Sequence, residues 1–102
     1  MPLTKIATQS DLPSANEAKE FPCGDKTICI ANVNGSYSAM DNTCPHRGGP
    51  LGQGMVEGEK VICPWHGWAW NVNTGVAEQD SRMKVALYPL TVENGEVLIE
   101  TD

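Results

Sequence analysis

The sequence predicts an all-β protein, an antiparallel β-sandwich or barrel base with a loop-rich insertion set into it. Three observations predict it. Apolar residues alternate in short runs and never settle into helical spacing. Two Asn-Gly pairs sit between such runs. Gly (10) and Pro (7) are frequent enough to punctuate the whole chain.

Each element has a local reason. Asn34-Gly35 joins TICIANV to SYSAM, and Asn94-Gly95 joins YPLTVE to EVLIE. A type I′ hairpin turn needs positive φ at both central residues, which Asn-Gly accepts at least cost. Gly24-Asp25, Glu57-Gly58 and Asn73-Thr74-Gly75 mark weaker turns of the same kind. The spacing predicts strands over residues 3–7, 18–23, 27–33, 36–40, 60–63, 68–72, 86–92 and 96–100, with at most one helical turn in 8–17. A chain of 102 residues suits one compact domain and is short for two. Residues 1–102 therefore read as a single domain, with 43–68 inserted into a base formed by 1–42 and 69–102.

Seven basic against thirteen acidic residues give a net charge of −6. That balance argues against nucleic acid, whose phosphates call for clustered Lys and Arg, and suits docking on basic patches of partner proteins. The start, MPLTKIATQSDLPSANEAKE, lacks an apolar segment behind a basic one, so no secretory leader is expected. No apolar run approaches the ~20 residues of a membrane helix. The expectation is a cytoplasmic protein without membrane association, in which four cysteines are ligands or free thiols before they are disulfides. Cys23 and Cys29 flank the Gly24-Asp25 turn out of register with one another, and read as small buried thiols.

The chemistry concentrates in two loops. TCPHRGG (43–49) and ICPWHGW (62–68) hold both histidines of the chain and two of its four cysteines. Three readings compete for Cys44, His46, Cys63 and His66. Structural zinc accepts two Cys and two His, but usually pairs like with like, whereas here each loop supplies one of each. A Cys–His nucleophile pair would leave the second loop unexplained. A [2Fe–2S] centre with both thiolates on one iron and both imidazoles on the other suits the spacing, because each loop must then reach both metals. Pro45 and Pro64 would stiffen the turns between ligands, and Gly48, Gly49 and Gly67 would let backbone amides approach the sulfides.

The pattern C-P-H-R-G at 44–48 with C-P-W-H-G at 63–67 resembles the Rieske signature, C-x-H then C-x-x-H, and the closing ALYPLTVENGEVLIE is similar to the last hairpin of Rieske ferredoxins. The resemblance implies antiparallel base sheets with a cluster-binding subdomain, and one [2Fe–2S] cluster per chain. It implies that Cys44 and Cys63 hold the inner iron and that His46 and His66 hold the outer one. With all four metal positions taken by protein, it implies an electron-transfer protein rather than an enzyme. The donor would be a NAD(P)H-dependent flavoprotein ferredoxin reductase and the acceptor a terminal oxygenase of a ring-hydroxylating dioxygenase system. CPHRGGPLGQG and CPWHGW are also similar to the small subunit of assimilatory nitrite reductases, whose partner is the large subunit. At 11.0 kDa a free carrier of this kind is expected to be a monomer.

Two ferric ions, two sulfides and two thiolates sum to zero charge, so an electron enters more easily than with four thiolates. Members with high potential resemble loops carrying an extra bridged Cys each and a Ser and Tyr that donate hydroxyls. Here Trp68 and Trp70 stand at those hydroxyl positions, which places the expected potential low in the range of about −150 to +300 mV. Trp68 and Trp70, two apart, should share one strand face as core. Trp65, between two ligands, shields the centre or docks a partner, and Arg47 is a solvated loop residue or a docking contact. Asp41, Glu57, Glu59, Glu78 and Asp80 lie near the loops in sequence, and EQDSRMKV (78–85) lacks the proline common in the family's third loop.

Overall fold

Ten strands form three antiparallel sheets in the computed structural model, which describes residues 3–45, 48–65 and 67–100. The first sheet has the order β1-β10-β9, from Leu3–Thr8, Glu96–Glu100 and Leu90–Glu93. The second has the order β2-β3-β4-β8, from Ala18–Cys23, Lys26–Val33, Ser36–Asp41 and Leu87–Tyr88. The third, β5-β6-β7, is built from Met55–Glu57, Lys60–Ile62 and Ala69–Asn71. Both Asn-Gly pairs adopt the turns expected of them. Asn34 and Gly35 have φ of 51° and 93°, and Asn94 and Gly95 have 52° and 78°.

The second sheet is the middle layer, and β3 shows why. Residues Ile28 to Asn32 are buried without interruption, the pattern of a strand covered on both faces. Ile28 and Ile30 join Phe21, Ala39, Val97 and Ile99 in a core shared with the first sheet. Cys29 and Ala31 point the other way, into a second core with Met40, Cys44, Leu51, Val61, Cys63 and Trp70. One strand thus separates the purely structural core from the core that carries the ligand loops.

Three expectations need correction. Residues 69–71 belong with the insertion and not with the base, because β7 pairs with β6 in the register Val61↔Trp70 and Ile62↔Ala69. Residues 86–92 are two strands, not one. The break falls at Pro89, which lacks the N–H of a continuous ladder, so the chain leaves β4 and joins β10. Strand β5 was not expected at all, since three residues between Gly54 and Gly58 are too few to show a period. The helical content of 8–17 is a single 3-10 turn at Gln9–Asp11.

Candidate metal centre

The described residues of the two candidate ligand loops fold alike. The first leaves β4, and its Cys44 N–H donates to the Gly49 carbonyl at 2.8 Å. The second joins β6 to β7, and its Cys63 N–H donates to the Trp68 carbonyl at 2.8 Å. In each case the acceptor lies five residues on, and the glycine four residues on turns the chain with positive φ, 81° at Gly48 and 72° at Gly67. A second bond, Gly48 N–H to the Cys44 carbonyl at 2.7 Å, tightens the first loop. The local repeat visible in the sequence is therefore a repeat of backbone geometry.

These loops bring two thiols together. Cys44 and Cys63 are each 1 % exposed and neither is in a disulfide. The Cys63 thiol is pushed above its ordinary value, first by burial, with a smaller push from the Cys44 thiol beside it, while the Trp65 backbone N–H favours the thiolate. Gly49 permits the approach. A Cβ at that position would sit 2.8 Å from Cys63 Sγ and 3.0 Å from Trp65 Cγ. Gly49, expected from the sequence to let backbone amides approach sulfides, thus also has a steric role against the opposite loop. Two adjacent, buried, soft donors beside Gly49 fit a thiolate-held metal group. His46, Arg47 and His66 lie outside the described residues.

The surroundings are apolar on the inner side. Val56, Val61 and Trp70 stand side by side across the small sheet, and Cys63 continues the same face of β6. Trp68 stacks on Trp70 with ring centroids 6.1 Å apart and planes tilted by 32°, so the two do share a face. Trp70 is fully buried and its Nε1 is the buried side-chain polar atom without a hydrogen-bond partner among the described residues. Trp65 is 49 % exposed. The proline-free segment 78–85 is nonetheless pinned to the site. The Gln79 side chain accepts from the Ala69 N–H at 3.0 Å, and Met83 packs against the core that holds both cysteines.

The acidic residues do not act as one group. Glu78 pairs with Lys60 at 2.8 Å, and Asp80 binds Arg82 through both oxygens. What sequence reasoning missed is a clasp beneath the first loop. Asn42, at its N-terminal end, accepts from the N–H groups of Leu51 and Gly52 at 2.8 and 2.7 Å, beyond its C-terminal end. Its Nδ2 donates to Glu20 on β2 at 2.7 Å. No motif connects residues 20 and 42, so the only signal is spatial.

Residues 3–89 match the Rieske [2Fe–2S] domain. The chain is similar to Ferredoxin CarAc of Metapseudomonas resinovorans, 27 % identical over 96 residues that cover 93 % of this chain and 90 % of that one. It spans only 10 % of Apoptosis-inducing factor 3 of Mus musculus, which it matches with 36 % identity over 62 residues, 61 % of this chain. Among solved structures, it superposes with TM-score 0.81 and 25 % identity on a chain of the complex of reduced oxygenase and oxidized ferredoxin in carbazole 1,9a-dioxygenase, covering 95 % of this chain and 91 % of that one. A Mycobacterium tuberculosis structure described as an NADH-dependent nitrite reductase small subunit shares the fold, with TM-score 0.84, 21 % identity and coverage of 96 % and 93 %.

Proposed function

The chain belongs to the Rieske [2Fe–2S] family, and we propose that it carries single electrons from a NAD(P)H-dependent flavoprotein reductase to a terminal oxygenase. The observation that carries this reading is the pair of buried, adjacent thiols presented by two loops of the same geometry. Cys44 and Cys63 would hold one iron, and His46 and His66 would hold the other. When bound, the cluster supplies reversible one-electron exchange without an open site for substrate.

The chain's own residues do the rest. The apolar core around Cys44 and Cys63 excludes water from the thiolates, and the Trp65 backbone N–H stabilises charge on Cys63. Exposed Trp65 offers an apolar anchor for a brief, small interface of the kind redox partners use. The net charge of −6 favours an acceptor and donor with basic rims. Similarity to Ferredoxin CarAc across 93 % of this chain and 90 % of that one supports the reading as an electron carrier, which we take to act as a free monomer. No helix among the described residues is long and apolar enough to cross a membrane.

A second reading, a fixed small subunit bound to the large subunit of a nitrite reductase, is favoured by the fold shared with the mycobacterial structure. Size-exclusion of native lysate, followed by the visible absorption of the cluster, separates the two. Elution near 11 kDa supports the free carrier. Co-elution with a large sirohaem-containing complex overturns it in favour of the subunit.

A further inference from the structure

Glu20 reaches both ends of the first ligand loop from a strand of the base. One carboxylate oxygen accepts from Asn42 Nδ2 at 2.7 Å, and the other accepts from Gln53 Nε2 at 3.1 Å. Asn42 immediately precedes the loop, and Gln53 closes the 3-10 turn Leu51–Gln53 that follows it. Asn42 itself is only 7 % exposed and spends every polar group, donating its N–H to the Thr27 carbonyl at 3.1 Å besides the bonds to Leu51, Gly52 and Glu20. The packing leaves no slack. A Cβ on Gly52 would run into Glu20 Cγ and come within 2.8 Å of Asn42 Oδ1.

Among the described residues the carboxylate has no cationic partner. Both donors are neutral amides, and among the described residues the Lys and Arg ion pairs go to Glu96, Glu78 and Asp80 instead. Glu20 is half-buried, so its field is weakly screened. That field reaches the inner core. It adds to burial in raising the thiol of Cys29, which faces Glu20 across the β2–β3 ladder and lies in the same core as Cys44.

We propose that Glu20 is a positioning residue for the redox centre, gripping both ends of the Cys44 loop and setting its potential low through an unpaired negative charge. Charge-assisted hydrogen bonds fix the loop more firmly than neutral ones would. Reduction adds an electron to the centre, and a fixed anion nearby opposes that in proportion to 1/εr. The inference rests on the family assignment alone and is indifferent to which partners the carrier serves.

The test uses holo-protein variants Glu20→Gln and Glu20→Ala, with Glu93→Gln on β9 as a control for net charge. Spectroelectrochemical titration of Glu20→Gln should show at least a threefold shift of the reduction equilibrium toward the reduced form, ~28 mV at 59 mV per tenfold for one electron. Glu93→Gln should show none. With excess chelator, Glu20→Ala should lose its visible absorption several-fold faster than the parent, and Glu20→Gln, which keeps one acceptor oxygen, should fall between. An unchanged potential in Glu20→Gln, an equal shift in Glu93→Gln, or parental bleaching of Glu20→Ala would each overturn the proposal. A parent chain that never shows cluster absorption would instead speak against the family reading.

Discussion

Adjacent glycines in the first ligand loop separate two kinds of constraint, and Gly49→Ala is the sharper perturbation. The new Cβ would lie 2.8 Å from Cys63 Sγ and 3.0 and 3.1 Å from Cγ and Cβ of Trp65. Those separations fall well inside the ~3.5–4.0 Å optimum of non-bonded contacts. Cys63 Sγ is the atom proposed to hold metal, and Trp65 Cβ is tied to backbone, so neither neighbour yields cheaply. Overpacking of this kind costs about 1–3 kcal/mol. Here it acts directly on the spacing of the two loops. Gly48→Ala is the contrast. No described residue lies within 4 Å of its Cβ position, but φ is 81°, so the cost is about 1–2 kcal/mol of backbone strain with the loop spacing spared. The assay is iron and acid-labile sulfide per chain, with the visible spectrum and thermal unfolding of each holo variant. Gly49→Ala should lose cluster content out of proportion to its lost stability, while Gly48→Ala should lose stability at near-full occupancy. Full occupancy and an unaltered spectrum in Gly49→Ala would refute the role given to loop spacing.

Other consequences follow from single residues. His46→Cys or His66→Cys in a loaded variant should lower the midpoint potential, since a thiolate adds negative charge; an unchanged potential would contradict the proposed ligand set. The parent's own potential should lie low in the range of about −150 to +300 mV, because Trp68 and Trp70 offer no hydroxyl to the centre, and redox titration near the upper end would refute this. Trp70→Phe should destabilise the chain by well under the ~3–5 kcal/mol of a typical Trp→Ala core change, as it removes a buried donor that has no partner among the described residues. A loss of that full size in denaturant melts would show that the indole N–H is satisfied. Burial, and then the charge of Glu20, push the Cys29 thiol from 9.0 up to about 12. The folded state therefore keeps a proton that the unfolded chain releases, so this contribution is intact below pH 9.0 and is lost as pH climbs toward about 12. Relative to Cys29→Ala, the parent should lose stability across that window, and parallel pH profiles of the two would refute the assignment.

What the sequence determined by itself is whatever depends on neighbours a few residues apart. Positive φ at Asn34-Gly35 and Asn94-Gly95 follows from the residues of the turn alone, and fixes two hairpins before any packing is known. The C-x-H and C-x-x-H spacings likewise suffice to propose a donor set, because ligand number and softness are properties of side chains. Tertiary structure decided the rest. β5 and β7 are three residues each and pair with β6 in the small sheet, so no local preference could reveal the first or assign the second to that sheet. The run ICIAN in β3 reads as a buried strand, yet only the packing shows that its two faces serve different cores. Gly49 meets Cys63, and Glu20 meets Asn42 and Gln53, across gaps that the chain closes only when the sheets stack. Hydrogen bonds and contacts of such long separation leave no period or motif, because their geometry is set by the sheets between them and not by the residues that make them.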